Sequence, residues 1–162
     1  MVAIRSGRDD QARSHLPLRT VFLDHGYTNV IVNAHDVDSP QKQVRAQEII
    51  FSGMRENTAV ISAQVLSEFF VTMTMKVEQK YSVPAAKHEL MLLSHLEVVE
   101  IDYDLVLRAV GIRDAFQLSY WDGLILAAAE RAGCDTLYSE DLSHGQEYAG
   151  IRCINPVADD SH

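Results

Sequence analysis

The sequence has few of the residues that mark several classes of protein. Of its 162 residues only Cys134 and Cys153 are cysteines, too few for a disulfide-stapled fold or for a metal site made of cysteine alone. No apolar run approaches the ~20 residues that a membrane-spanning helix needs. The first 19 residues carry four arginines and no apolar core, which is unlike a secretory signal. We therefore expect a cytoplasmic protein with reduced thiols and no membrane association.

Basic residues are also scarce relative to acidic ones. The chain has 14 lysines and arginines against 23 aspartates and glutamates, which gives a formal net charge of −9. An acidic chain does not attract nucleic acid through its overall charge. Binding of RNA or DNA would therefore need a local basic patch, or cations held by the chain's own carboxylates. A basic protein partner is the other interpretation.

The hydrophobic pattern predicts one α/β domain between two short tails. Residues 1–18 are polar and unpatterned, and we assign them to a flexible N-terminal tail, followed by a domain over 19–156 and a C-terminal tail over 157–162. Short apolar strands alternate with helices. Two helices lie between the second and third strands, and two more lie between the third and fourth strands. This order is typical of a three-layer sandwich, a short parallel sheet of four or five strands flanked by helices.

Boundaries of the elements are marked by capping residues. Helix starts are predicted at Ser39-Pro40, Ser62, Ser82, Asp102 and Ser119, and Gly133 is predicted to end the last helix. Strands are predicted over 20–23, 58–61, 97–101 and 136–138, with a short fifth over 152–154. The helix that starts after Ser62 is expected to continue to about Lys80. Neither of the common glycine-rich phosphate-binding motifs occurs.

Four acidic residues fall where these elements reach one edge of the predicted sheet. Asp24 directly follows the first strand and Asp141 comes just after the fourth, while Glu68 and Asp122 lie in the first two turns of their helices. In open α/β sheets, ligands bind beyond the carboxyl ends of the strands. Carboxylates that converge there would repel one another unless a cation lies between them, and Mg²⁺ or Mn²⁺ suits an all-oxygen site. The four acids are therefore candidate metal ligands.

Each acid also has a purely structural interpretation. Asp122 stands three residues after Ser119, so the two could form only a capping box. Glu68 lies at the border of the apolar stripe of its helix and could be a solvated residue. Asp24 and Asp141 could be ordinary loop acids. The sequence spacing alone leaves these alternatives open.

Four segments add a family resemblance. They are TVFLD, SAQVLSEFF, LSYWDGLILAAAERAGCDTLYSEDLSHG and the closing IRCINP. From about Arg19 to Pro156 the chain resembles PIN-domain proteins, especially the toxin ribonucleases of VapC-type toxin–antitoxin pairs. This resemblance implies a PIN-like sandwich whose carboxylates hold Mg²⁺ or Mn²⁺ and cleave an RNA substrate. It also implies an antitoxin protein as partner and a homodimer.

The resemblance assigns catalysis and metal binding to the same acids, with one departure from the family pattern. Members usually read F-L-D-T-N-V, whereas here His25-Gly26-Tyr27 separates Asp24 from Thr28 and Asn29. Thr28, Asn29 and Ser139 are assigned as supporting residues. Asp24 keeps its place if the insertion bulges outward, for which Gly26 supplies the conformational freedom. If the register of the next helix is kept instead, Tyr27 occupies the position of the acid. We therefore expect a metal-dependent endoribonuclease, and the alternative is a catalytically impaired PIN module that acts by binding RNA or protein.

Overall fold

Strands and helices alternate along the described part of the chain. The computed structural model describes residues 20–22, 40–76 and 80–155. Its strands are β1 (Thr20–Phe22), β2 (Ala59–Ser62), β3 (Glu97–Val99), β4 (Thr136–Tyr138), β5 (Glu147–Tyr148) and β6 (Ile151–Ile154). Its helices are α1 (Pro40–Glu56), α2 (Ala63–Val71), α3 (Val83–Leu93), α4 (Tyr103–Phe116) and α5 (Tyr120–Arg131), and a π-helical turn over Thr72–Lys76 continues α2.

All six strands join one sheet in the order β3-β2-β1-β4-β6-β5. β1 is central, and it pairs in parallel with β2 on one side and β4 on the other. β3 and β6 extend the parallel sheet outward, while β5 pairs antiparallel with β6. The predicted α/β class and its parallel sheet are confirmed. The structure adds β5, a two-residue strand that is too short to leave an alternating pattern in the sequence.

The helices begin at the residues that the sequence predicts. The side chains of four cap residues accept backbone N–H bonds: Ser62 from Val65, Ser82 from Ala85, Asp102 from Leu105 and Ser119 from Asp122. α1 begins at Pro40, and Gly133 follows α5 with a φ of +68° that suits glycine. The helix after Ser62 is a regular α-helix only to Val71, because a π turn over Thr72–Lys76 follows it. Residues 77–79 of the predicted helix lie outside the described ranges.

The core packs α5 against the sheet together with buried side chains of α2, α3 and α4, and this packing fixes the position of the first turn of α5. Every residue from Gly123 to Ala129 is buried, as are Leu137 of β4 and Cys153 of β6. At Gly123 the two helices α4 and α5 approach so closely that a Cβ atom would lie 2.6 Å from the carbonyl oxygen of Ala109. The residue before it, Asp122, is therefore attached to a rigid element.

Several predictions concern residues outside the described ranges. They include the acid Asp24, the supporting residues Thr28 and Asn29, and the two tails over 1–18 and 157–162. Within the described ranges, no helix combines the length and the apolar character needed to cross a membrane.

Candidate metal centre

Three of the four predicted acids lie within the described residues, on elements that surround the carboxyl end of β1. Glu68 is half-buried in the second turn of α2, which directly follows β2. Asp122 is half-buried in the first turn of α5, and Asp141 is exposed in the loop after β4. β2 and β4 are the two neighbours of β1. Asp24 follows the last residue of β1 by two positions in the sequence and lies outside the described residues.

Gln64 connects the first two of these acids. Its side-chain amide Nε2 donates a hydrogen bond to Glu68 Oε1 at 3.0 Å, and it reaches the carbonyl oxygen of Trp121 at 3.5 Å. Trp121 directly precedes Asp122, so the amide joins α2 to the first turn of α5. The structure therefore brings Glu68 and Asp122 onto adjoining elements, although they are far apart in the sequence.

The other end of the Gln64 amide lacks a partner among the described residues. Gln64 is only 4% exposed, and its Oε1 atom is buried without a hydrogen bond. Exchanging the amide oxygen and nitrogen would aim an acceptor at the Glu68 carboxylate, itself an acceptor, so the observed orientation is the favourable one. A buried, unpaired carbonyl costs about 1–3 kcal/mol. Its position therefore suits a water molecule or a bound group that can donate a hydrogen bond.

Asp122 is held from a second direction by Ser119. The Ser119 hydroxyl donates to Asp122 Oδ2 at 2.6 Å and accepts from the Asp122 backbone N–H at 3.1 Å. The serine thus caps α5, as the capping interpretation requires, and at the same time orients the carboxylate. Burial, and secondly the negative charge of Asp122, raises the pKa of the Cys153 thiol to about 12.

Ser139 shapes the loop that carries Asp141. Its buried hydroxyl accepts hydrogen bonds from the backbone N–H groups of Asp141 at 3.1 Å and Leu142 at 3.3 Å, and its own N–H donates to Ile154 at 3.0 Å. The chain therefore turns sharply at the end of β4, which places Asp141 just beyond the sheet. The supporting role predicted for Ser139 stays a prediction, with this loop geometry as its physical basis.

The donor set fits a hard divalent cation in its chemistry. Within the described ranges, no three His, Cys, Asp or Glu residues gather closely enough to hold a metal ion. Glu68, Asp122 and Asp141 therefore do not form a complete site by themselves. Carboxylate and amide oxygens are nevertheless the ligands that Mg²⁺ and Mn²⁺ prefer. The four-acid site that includes Asp24 stays a prediction.

Two residues at this site were not identified from the sequence. Gln64 precedes Glu68 by one helical turn, a spacing at which side chains meet, so the Gln64–Glu68 pair could have been predicted. Ser119 was identified only as a cap. Its bond to the Asp122 carboxylate depends on the side-chain rotamers, which the sequence does not specify.

Comparison with known proteins bears on the fold and the family of this chain. The sequence profile of the PIN domain matches residues 22–146, which is most of the chain. No curated protein sequence matches at a significant level. A toxin–antitoxin complex from Klebsiella pneumoniae superimposes with a TM-score of 0.57 at 21% identity, covering 85% of this chain and 97% of that one.

Two further solved structures share the fold at similar identity. VapBC2 from Rickettsia felis, bound to a DNA fragment from its promoter, gives a TM-score of 0.56 at 18% identity, covering 84% of this chain and 97% of that one. The Sarcin-Ricin loop cleaving toxin VapC20 from Mycobacterium tuberculosis gives 0.57 at 19% identity, covering 82% and 98%. The profile match over most of the chain confirms the family that the sequence motifs predict: this protein belongs to the PIN-domain family.

Proposed function

We propose that this protein is a divalent-metal-dependent endoribonuclease that hydrolyses RNA phosphodiester bonds. The observation that carries the proposal is the connection of Glu68 to the first turn of α5, and hence to Asp122, through Gln64 beside the carboxyl end of the parallel sheet. Membership of the PIN-domain family supports it, and so does a fold shared with a toxin that cleaves the Sarcin-Ricin loop.

Four carboxylates would form the metal site. Asp24, Glu68 and Asp122 would hold one Mg²⁺ or Mn²⁺, and Asp141 would support it or help to hold a second. When bound, such an ion lowers the pKa of a water molecule and neutralises the charge that develops during phosphodiester hydrolysis. A cation between the acids also explains how a chain with a net charge of −9 could act on an anionic substrate.

The remaining tasks belong to the chain's own residues. Ser119 and Gln64 fix the orientation of the Asp122 and Glu68 side chains, so that the carboxylates need little rearrangement when they bind a ligand. Close packing of α5 against α4 at Gly123 prevents the first turn of α5 from shifting. These constraints make a preorganised pair of carboxylates, which is what a tight divalent site requires.

The decisive experiment compares RNA cleavage by two matched variants. We expect Asp122→Asn to abolish Mg²⁺-dependent cleavage of single-stranded RNA, because the variant loses a ligand charge but keeps nearly the same volume. Asp114→Asn removes the same charge from an exposed position on α4 and should cleave like the parent. Cleavage by Asp122→Asn at the parental rate would overturn the proposal.

We further propose that the protein is the toxin of a toxin–antitoxin pair, acts in the cytoplasm, forms a homodimer and is neutralised by an antitoxin protein. Its fold is shared with chains of toxin–antitoxin complexes from Klebsiella pneumoniae and Rickettsia felis. Induced expression in a bacterial host should arrest growth, and Asp122→Asn should relieve the arrest while the protein still accumulates. Equal arrest by both proteins would contradict a toxin that acts through its nuclease site.

The three-residue insertion after Asp24 supports the alternative of a catalytically impaired module that binds RNA or protein. Deletion of His25-Gly26-Tyr27 restores the family spacing between Asp24 and Thr28. A large gain of nuclease activity on deletion would favour the impaired module. Unchanged or lower activity, with the parent active, would favour an insertion that leaves the site intact.

A further inference from the structure

An open groove begins at Glu68 and leads away from the candidate metal centre. Its volume is about 330 Å³, and its lining is formed by Gln64, Ser67, Glu68, Val71, Lys76, Ile101 and Trp121. One wall is a face of α2 and the π turn, and the opposite wall is formed by Ile101, after β3, and Trp121, in the first turn of α5. The groove therefore combines apolar side chains with one basic side chain, Lys76, and with one of the candidate acids, Glu68.

The π turn is what places the basic side chain in this groove. Along α2 the lining residues follow α-helical steps of four, from Gln64 to Glu68 and from Ser67 to Val71. The next lining residue is Lys76, five positions after Val71, whereas Met75 does not line the groove. In an uninterrupted α-helix, Lys76 would lie about 140° around the axis from Val71. The i→i+5 bonding of a π turn brings it back onto the same face.

Lys76 is available to a ligand in this position. Its side chain is exposed and forms no ion pair with any of the described residues. An exposed ammonium group that lines a mostly apolar groove offers a positive charge with which a phosphate can pair. The turn thus brings one positive charge into the groove of a chain whose overall charge repels nucleic acid.

Trp121 offers a flat aromatic surface on the opposite wall. The side chain is 59% exposed, although large aromatic residues usually bury most of their surface. Tyr120 contacts the indole edge-on, with ring centroids 5.3 Å apart and an interplanar angle of 69°. The backbone of Trp121 is held by Gln64. An exposed, anchored indole beside a cation matches how proteins bind single strands, with bases stacked on aromatic rings and phosphates on basic side chains.

We propose that this groove binds a single-stranded segment of the RNA substrate, with a base stacked on Trp121 and a backbone phosphate at Lys76. The assignment rests on the proposed ribonuclease function, and it specifies single-stranded rather than double-stranded RNA at the cleavage site. A paired base cannot present its face to an indole, so a duplex would first have to open. The strand enters beside Glu68 and Asp122, which places the bond next to the groove within reach of the metal centre.

The fluorescence of Trp121 gives a direct test, because it is the only tryptophan in the chain. A short single-stranded RNA of mixed sequence is titrated into Asp122→Asn protein, which keeps the RNA intact. We expect quenching of the indole emission on binding, and little quenching with the same RNA as a duplex. In the same Asp122→Asn background, Lys76→Ala should weaken RNA binding about tenfold. It should also reduce the slope of log affinity against log salt concentration by about one. Lys87→Ala, which removes an exposed charge from α3, should bind like the Asp122→Asn parent.

Cleavage kinetics of otherwise wild-type protein separate this assignment from the nuclease proposal itself. Trp121→Leu should raise KM about tenfold or more with a smaller change in kcat, and Trp121→Phe should restore most of the loss. If RNA quenches the Trp121 fluorescence in a manner that depends on Lys76, but the wild-type protein cleaves no RNA, the nuclease proposal is refuted and the groove is still supported as an RNA-binding site. Normal cleavage with unchanged KM in Lys76→Ala and Trp121→Leu would overturn the groove assignment. RNA that leaves the indole fluorescence unchanged would overturn it as well.

Discussion

Replacement of Gly123 by alanine tests the packing that positions Asp122. A Cβ atom at this position would lie 2.6 Å from the Ala109 carbonyl oxygen and 3.1 Å from Arg113 Cβ, whereas ordinary contact begins at 3.4 Å. Because the nearest obstacle is backbone, α4 and α5 would have to separate by about 0.8 Å, which also weakens the other contacts between them. Overpacking of this kind costs about 1–3 kcal/mol, and alanine returns about 1 kcal/mol of helix propensity.

The expected balance is a loss of up to about 2 kcal/mol in the free energy of unfolding, or up to about 6 °C in Tm for a chain of this size. The assay is urea and thermal unfolding followed by circular dichroism. Gly111→Ala is the matched control, because a Cβ there would meet only the end of the Arg108 side chain at 4.0 Å. That exposed helical position should gain about 0.5–1 kcal/mol. The reasoning is refuted if both variants are stabilised to the same extent.

Three further predictions concern the capping, titration and reactivity of single residues. Ser119→Ala should cost about 1 kcal/mol of stability through the lost cap and should lower RNA cleavage about 10–100-fold. Ser119→Thr should keep most of the stability and most of the cleavage. Unaltered cleavage by the alanine variant would argue against the orienting role of the hydroxyl. Hydrogen bonds from Arg131 and, secondly, from the Leu105 N–H hold the pKa of Asp102 below its usual 3.8 in the folded protein. The stabilisation from this carboxylate is therefore complete above pH 3.8, and it is lost as the pH falls through the lower pKa of the folded state. The difference in Tm between wild type and Asp102→Asn should therefore shrink at acid pH, and a constant difference would contradict the sign. Cys153 is buried and its pKa is raised to about 12, so its thiol should resist a disulfide reagent at about pH 8 until urea unfolds the chain. Rapid labelling of this residue in the native protein would contradict its burial.

The sequence determines the local features of this fold most clearly. Ser62, Ser82, Asp102 and Ser119 were predicted as helix caps and accept the expected backbone bonds, because capping depends on residues only three positions apart. The parallel sheet was predictable for a similar reason, since each strand is a short apolar run between helical patterns. The positions of the four acids at the ends of these elements made them candidate ligands, and the family motifs pointed to the same acids and to the PIN domain.

Features that depend on side chains from distant parts of the chain were not predictable. The approach of Gln64 to Trp121 joins residues far apart in the sequence, and it depends on how closely α2 and α5 pack. The π turn after Val71 leaves no composition signal, because apolar and polar residues continue through it without a break. As a result, the groove and the placement of Lys76 in it became visible only in the structure.

Crystallographic location of Mn²⁺ tests the central claim most directly. Anomalous scattering from crystals grown with Mn²⁺ identifies the ion independently of any activity. We predict a strong peak bound by the carboxylates of Asp24, Glu68 and Asp122, with oxygen distances of about 2.0–2.2 Å and with Asp141 beside it. A map without a peak between these residues, or carboxylates that point into separate regions, would contradict the metal-dependent nuclease.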